Sequence, residues 1–290
     1  MKRIKKALFV LMITSLAASG FTVEWPQEKH SETDIISDFG QNIGNKMNTS
    51  IIFSEQSEIK AVKDGKVLII MSDIEDDSEF FPSALGTSVI LSHSDDIISV
   101  YSNLDRETVK ESLDGKTTVS EGEIIGETGN SAWQNTHSSL EFQIIDIQKS
   151  AAINPKILLP RTEKELDYSL NGIVLRNKEG TYFDLKERKS FPSGSYRVYH
   201  KRNSVAMPYK VSSTINGVLV DEISFDTINT QNGRLYITGK KQYTSGDLFP
   251  TEELILSGDF MLTPGKSTLG ITVETYLGKT KQVNYNLTIY

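Results

Sequence analysis

The sequence predicts an all-β protein built in two parts: a β-sheet domain over residues 39–160 and a β-sandwich over residues 171–290. Three observations carry this expectation. Short runs rich in β-branched and aromatic residues recur from residue 39 to the end, as strands do in sheets and sandwiches. Pairs that favour tight turns, among them Asp64-Gly65, Asn216-Gly217 and Asn232-Gly233, fall between those runs. Asn-Gly and Asp-Gly are the strongest short-range hairpin signals. Apolar residues keep helical spacing over no long stretch, and only residues 107–113 suggest a turn or two of helix.

The chain opens with a basic run, Lys2, Arg3, Lys5 and Lys6, followed by a largely apolar stretch over 7–18 and the small residues Ser19 and Gly20. That stretch is shorter than the ~20 residues a spanning helix needs. The three-part pattern is that of a secretory signal peptide over residues 1–20, cleaved after Gly20 or, as second choice, after Ala17; the alternative is an uncleaved anchor. No membrane span is expected in the mature chain. Residues 21–38 read as a polar lead-in.

Within 39–160, residues 59–62 pass through the turn at 63–66 into residues 67–71 and read as a first hairpin. Residues 87–92 and 97–104 flank Ser94-Asp95-Asp96 and read as a second. A short strand follows at 123–126 and a longer one at 140–147. In the latter Leu140, Phe142 and Ile144 face one way, and Ser139, Glu141 and Gln143 the other. Residues 161–170 are charged and aperiodic and read as a linker. Strands are then expected at 173–177, 181–186, 195–200, 208–215, 218–225, 233–238, 253–262, 268–276 and 282–290. That is an immunoglobulin-like strand count without the Cys–Trp–Cys signature, because both tryptophans, Trp25 and Trp133, precede this part.

Composition narrows the chemistry. With no cysteine in 290 residues, disulfides, thiolate zinc, iron–sulfur clusters and a cysteine nucleophile are excluded. Any transition-metal site would draw on His30, His93, His137, His200 and carboxylates, and no two of these histidines are close in sequence. The formal net charge is −7, and loss of residues 1–20 leaves 27 basic against 38 acidic residues, a charge of −11. Nucleic acid is therefore not an expected partner, since phosphate contacts need clustered Lys and Arg. The acidic run Asp73, Glu75, Asp76, Asp77 and Glu79 lacks the loop glycine of an EF-hand and reads as solvated. His30 and His200 are expected to be solvated, and His93 to be structural.

Six segments in order carry a resemblance. They are Phe39-Gly40; Ala61-Val62-Lys63-Asp64-Gly65-Lys66-Val67; Val89 to His93 followed by Val100-Tyr101-Ser102-Asn103-Leu104; Val119 to Gly129; His137-Ser138-Ser139-Leu140-Glu141; and Ile153-Asn154-Pro155. Together they resemble the lysostaphin/LytM-type zinc metallopeptidase domain, a peptidoglycan endopeptidase. The resemblance spans about 120 residues of the chain and implies a duplicated hybrid-motif β-sheet fold for residues 39–160. It also implies a zinc site made of a His and an Asp four residues apart in an early loop and the second His of His-x-His, with one position open for water. Two further histidines would assist the reaction.

The sequence departs from that pattern where the chemistry resides. Residues 40–63 contain neither His nor Asp. Asn48 and Ile52 fall at the first two ligand positions, or Lys46 and Ser50 with a shift of two. Ser139 stands at the third, and Asn103 replaces an assisting histidine. His137 alone remains of the set. Neutral oxygens and an isoleucine are poor zinc ligands, so no metal and no cofactor is expected. A site rebuilt from His137, Glu141 and Glu55 or Glu58 is the alternative.

The resemblance then implies an exported cell-envelope protein (periplasm or envelope) with a catalytically inactive peptidase-like domain that binds peptidoglycan or regulates a cell-wall hydrolase. Asn103, Trp133, His137, Ser139 and Glu141 would line its groove. Two alternatives stay open: an active zinc peptidase with atypical ligands, and a structural or adhesive envelope protein.

Overall fold

Strands dominate the computed structural model, which describes residues 22–28, 34–72, 83–133, 138–162 and 164–290. The expected signal peptide, His30, the acidic run at 73–79 and His137 lie outside the described residues. The first part runs β1 (Ile35–Ser37), β2 (Asn42–Ile43), β3 (Lys46–Met47), β4 (Ile51–Phe53), β5 (Glu58–Lys60), β6 (Gly65–Met71), β7 (Thr87–Ser92), β8 (Ile97–Leu104), α1 (Arg106–Leu113), β9 (Thr118–Val119), β10 (Ile124–Glu127), β11 (Glu141–Asp146) and β12 (Ala151–Ile153). After a 3-10 turn at Pro155–Ile157 come β13 (Val174–Asn177), β14 (Tyr182–Asp184), β15 (Ser190–Phe191), β16 (Gly194–Lys201), β17 (Lys210–Ile215) and β18 (Val218–Ser224). The chain ends with β19 (Thr227–Gln231), β20 (Arg234–Thr238), β21 (Gln242–Tyr243), α2 (Ser245–Leu248), β22 (Leu254–Leu262), β23 (Gly265–Glu274) and β24 (Thr280–Ile289).

Local chemistry accounts for many of these elements. Asp105 caps α1 by accepting from the Thr108 amide at 3.0 Å, and Val109 and Leu113, four apart, bury its one apolar face. Asn216-Gly217 and Asn232-Gly233 have positive φ at both positions. Their pairs close the β17–β18 and β19–β20 hairpins, as a two-residue type I′ turn requires. Asp95 and Asp96, also at positive φ, turn β7 into β8.

The hairpin expected at Asp64-Gly65 does not form. Neither residue has a positive φ, and the flanking strands go to different sheets: β5 pairs with β10, whereas β6 pairs with β7 and β9. The turn is a corner between sheets. Glycine leaves room there: a Cβ at Gly65 would sit 3.0 Å from His93 Nδ1 and 3.1 Å from the Ser92 carbonyl, so those groups would have to shift.

The main sheet has the order β21-β20-β19-β12-β11-β8-β7-β6-β9, with β4 and then β1 added beside β11. One edge of β11 is shared: Glu141 and Phe142 pair with β4, and residues 144–146 with β12. The second part forms two further sheets, β14-β13-β16-β22 and β15-β24-β23-β17-β18. They face each other across a core that includes Val198, Val211, Leu256 and Ile271, all fully buried.

The two parts share one sheet. Residues 151–153 of β12 pair with residues 227–229 of β19, a strand missing from the sequence reading. The described residues of the expected linker, 161–170, carry no regular structure and are packed against the second part. Tyr168 is buried, and Glu165 accepts from the Thr275 hydroxyl and the Leu277 amide. At Gly40 (φ +82°) a Cβ would come within 3.0 Å of the Phe225 ring, so glycine lets the first part approach the second.

His200 is fully buried, contrary to the solvated expectation. Its ring lies between Tyr168 Oη (2.6 Å) and Ser257 Oγ (2.7 Å). Tyr196, Val198 and His200 share the inward face of β16, so strand alternation carries the histidine into the core. His93 is structural, with Nδ1 on the Asp64 carbonyl at 2.9 Å and Nε2 on Ser99 Oγ at 2.7 Å.

Candidate functional site

Of the segments named in the resemblance, those carrying Asn103 and Gly129 meet Ser139 and Glu141 at the start of β11. Leu140, Phe142 and Ile144 are fully buried, while Glu141 and Gln143 point to the opposite, polar face, as alternation predicts. Glu141 lies opposite Ile52 on one side and Ser102 on the other.

Two small hydrogen-bond networks occupy the expected metal and catalytic positions. The first is centred on Asn48. Its amide nitrogen lies within hydrogen-bond reach of Ser37 Oγ (3.0 Å), the Asp38 carbonyl (3.1 Å) and the Ser50 carbonyl (2.9 Å). Its oxygen accepts from the Ser50 amide at 3.1 Å. Ser50 Oγ lies 2.7 Å from that oxygen and 2.9 Å from Glu141 Oε1, and its single proton goes to one of the two. The other Glu141 oxygen accepts from the Trp133 indole at 3.2 Å. Thr49 and Gln143 extend the network, with the Gln143 amide donating to Thr49 Oγ1 at 2.5 Å.

The second network is centred on Asn103. Its amide donates to the Ser139 carbonyl at 2.8 Å and approaches Ser139 Oγ at 3.3 Å, and its oxygen accepts from the Ala132 amide at 2.9 Å. Its backbone binds Leu85 and Gly129. Asn103 sits at φ +66°, a left-handed conformation that asparagine tolerates better than most residues. Asn103 thus holds four segments together.

These placements correct the expected groove. Asn103 and Ser139 are 0% and 1% exposed; they do not line an open cleft, because their polar atoms are spent on each other and on the backbone. Ile52 is buried between β1 and β11. Asn48 is 9% exposed and turned into its own network. Lys46, the alternative to Asn48, points outward. Of the groove residues that are described, only Trp133, 48% exposed, and the half-buried Glu141 reach solvent. Sequence reasoning missed Ser37, whose hydroxyl bridges Asn48 to Gln41 Oε1 at 2.8 Å; no motif marks it.

The residues present do not fit zinc. Asn48 with Ile52, or Lys46 with Ser50, and Ser139 offer no imidazole and no carboxylate, and catalytic zinc sites take three N, O or S ligands of that kind. The local carboxylate, Glu141, is already engaged by Ser50 and Trp133. Among the described residues, no three His, Asp or Glu side chains gather to hold a metal.

If Asn103 is a structural clamp, Asn103→Ala takes the side-chain partner from the buried Ala132 amide and from the Ser139 carbonyl. The expected cost is about 1–3 kcal/mol, read from the urea midpoint. An unchanged midpoint would refute the clamp.

The fold and the emptied ligand positions define a class: a β-sheet domain of metallopeptidase type without the metallopeptidase's donors. Residues 45–155 match the model of Peptidase family M23, and this part of the chain is an M23 (LytM-type) domain, degenerate at its ligand positions. A second family model, which carries no description, matches residues 167–290.

Among solved structures, the chain is similar to a catalytic-domain mutant of the prophage-encoded M23 protein EnpA from Enterococcus faecalis. Identity is 21% over 43% of this chain and 92% of that one, with a TM-score of 0.33. The complex of SpoIIIAH and SpoIIQ gives 18% identity over 46% and 97%, with a TM-score of 0.37. A zinc-containing peptidase from Vibrio cholerae gives 19% over 41% and 35%, with a TM-score of 0.32. The search of curated proteins returned no match.

Proposed function

We propose that this is an exported cell-envelope protein whose M23-type domain is catalytically inactive and works as a binding module at the cell wall, recognising peptidoglycan or a wall hydrolase that it regulates. The observation that carries the reading is the replacement of the metal donors by Asn48, Ile52 and Ser139, the polar two of which are bonded into local networks. Such a site keeps its shape and hydrogen-bonding surface without a Lewis acid. A peptidase needs the metal and its activated water; a binding module does not. Trp133 with Glu141 beneath it is the solvent-facing pair of this surface, and aromatic rings with a polar neighbour suit recognition. Among the described residues no helix is long and apolar enough to cross a membrane.

The test uses the purified chain. The expected result is far less than one zinc per molecule by metal analysis, no lysis of purified cell walls, and retention on sacculi or on a wall hydrolase. Stoichiometric zinc with wall lysis would establish the active-peptidase reading instead. Retention on neither sacculi nor hydrolase would leave the structural or adhesive reading and end this one.

A further inference from the structure

A cavity of about 360 Å³ on the sandwich is lined by Arg176, Lys178, Arg197 and Lys241, with Asp259 as its one acid. The strand register explains the gathering. Tyr182, Arg176, Arg197 and Asp259 form a single cross-strand row over β14, β13, β16 and β22. Their neighbours in sequence, Leu175 and Val198, are fully buried, so the row lies on the outer face. Arg176 is directly opposite Arg197, and like charges in that position repel.

The four cations are not equally compensated. Arg197 pairs with Asp247 at 2.9 Å and Asp259 at 3.1 Å, and Lys241 shares Asp259 at 2.7 Å. Among the described residues no carboxylate, Glu179 of the adjacent turn included, forms an ion pair with Arg176 or Lys178. Arg176 is held over the Tyr182 ring, 5.5 Å from its centroid. Its Nε is buried without a hydrogen-bond partner, and the buried Tyr199 hydroxyl sits against both guanidinium groups. A surplus of positive charge with an orphaned buried guanidinium N–H in an acidic protein makes the donor set of an anion site. Guanidinium groups match the paired oxygens of phosphate and carboxylate.

We propose that this cavity binds the oxyanion group, phosphate or carboxylate, of a small polar ligand, with Arg176 as its principal donor and Lys178 in support. The volume is at the lower end of ligand cavities, and the lining is polar where drug-like sites are apolar.

The test is a thermal-melt titration of the full chain with inorganic phosphate and separately with glutarate, each against sodium chloride of equal ionic strength. A ligand that binds only the folded state raises the melting temperature by mass action. A saturable rise with phosphate assigns a phosphate-bearing ligand, and a rise with glutarate alone assigns a carboxylate. Arg176→Gln should weaken binding on the order of tenfold or more, and Lys178→Gln by less, with near-UV circular dichroism unchanged in both. Should Arg176→Gln fail to fold, Lys178→Gln alone decides. A rise no larger than that with chloride, or wild-type affinity in the variants that fold, would overturn the proposal.

Discussion

Replacing Lys156 with alanine is expected to destabilise the folded chain by about 3–5 kcal/mol, the usual effect of stripping one partner from a buried ion pair. Lys156 Nζ lies 2.8 Å from Asp38 Oδ2, and the two side chains are 6% and 1% exposed. The pair belongs to a junction. Asp38 also accepts from its neighbour's amide at Phe39 and from the Met207 amide of the second part. The Lys156 ammonium stands 5.3 Å from the centre of the Tyr276 ring, and Asn154 bonds to the Phe225 carbonyl at 3.0 Å and to the Tyr276 hydroxyl. Loss of the lysine leaves the Asp38 carboxyl enclosed without its counter-ion where the two parts meet. Lys156→Met, which keeps the volume and removes the charge, should cost a similar amount, because the stranded carboxylate and not a cavity dominates. Urea unfolding of both variants measures this. A cost under about 1 kcal/mol in both, as for an exposed pair, would show that the junction does not depend on this contact.

The second large effect is a pH dependence set by His200. Burial pushes its pKa down to about 3, against about 6.5 in an unfolded chain. The folded form therefore holds a neutral ring while the unfolded form takes a proton. The contribution to stability is complete above about pH 6.5 and is lost as pH falls toward 3. The loss is about 1.4 kcal/mol per unit, roughly 4–5 kcal/mol in all. A protonated ring has two donors and no acceptor, so it could no longer accept from whichever of Tyr168 and Ser257 now donates to it. Carboxylates also titrate in this range, so the informative quantity is the difference between wild type and His200→Gln in urea unfolding at several pH values. That difference should shrink toward acid, with the variant losing less stability than the wild type. Parallel profiles would show that His200 takes up its proton equally in the folded and unfolded chain and would refute the argument.

The legible parts of the fold are those settled by a few adjacent residues. Asn216-Gly217 and Asn232-Gly233 encode positive φ at two successive positions, and the hairpins follow. Asp64-Gly65 carries a similar turn signal without that geometry, because the choice of partner for β6 lies with β7, whose paired residues are 17 to 26 positions further on. The strand β19 escaped the sequence reading: Thr227, Asn229 and Gln231 give it a weak apolar signal, and its pairing with β12 is what justifies it. At the site, the loss of the family's early His and Asp could be read directly, since residues 40–63 contain neither. The burial of Asn103 and Ser139 could not. Polar residues are exposed by default, and only the contact between β8 and the segment before β11 supplies the partners that make burial tolerable.

Residue identity and spacing along the chain already carry the β class, the M23-type order of segments and the loss of the family's His and Asp ligands. Long-range packing accounts for the rest. It closed Asn103 and Ser139 against each other, joined the two parts through one sheet and the Asp38–Lys156 pair, drew His200 into the core and set Arg176 opposite Arg197. In each case the free energy of a polar group depends on which distant atoms enclose it, and that is fixed only when strands far apart in sequence come into register.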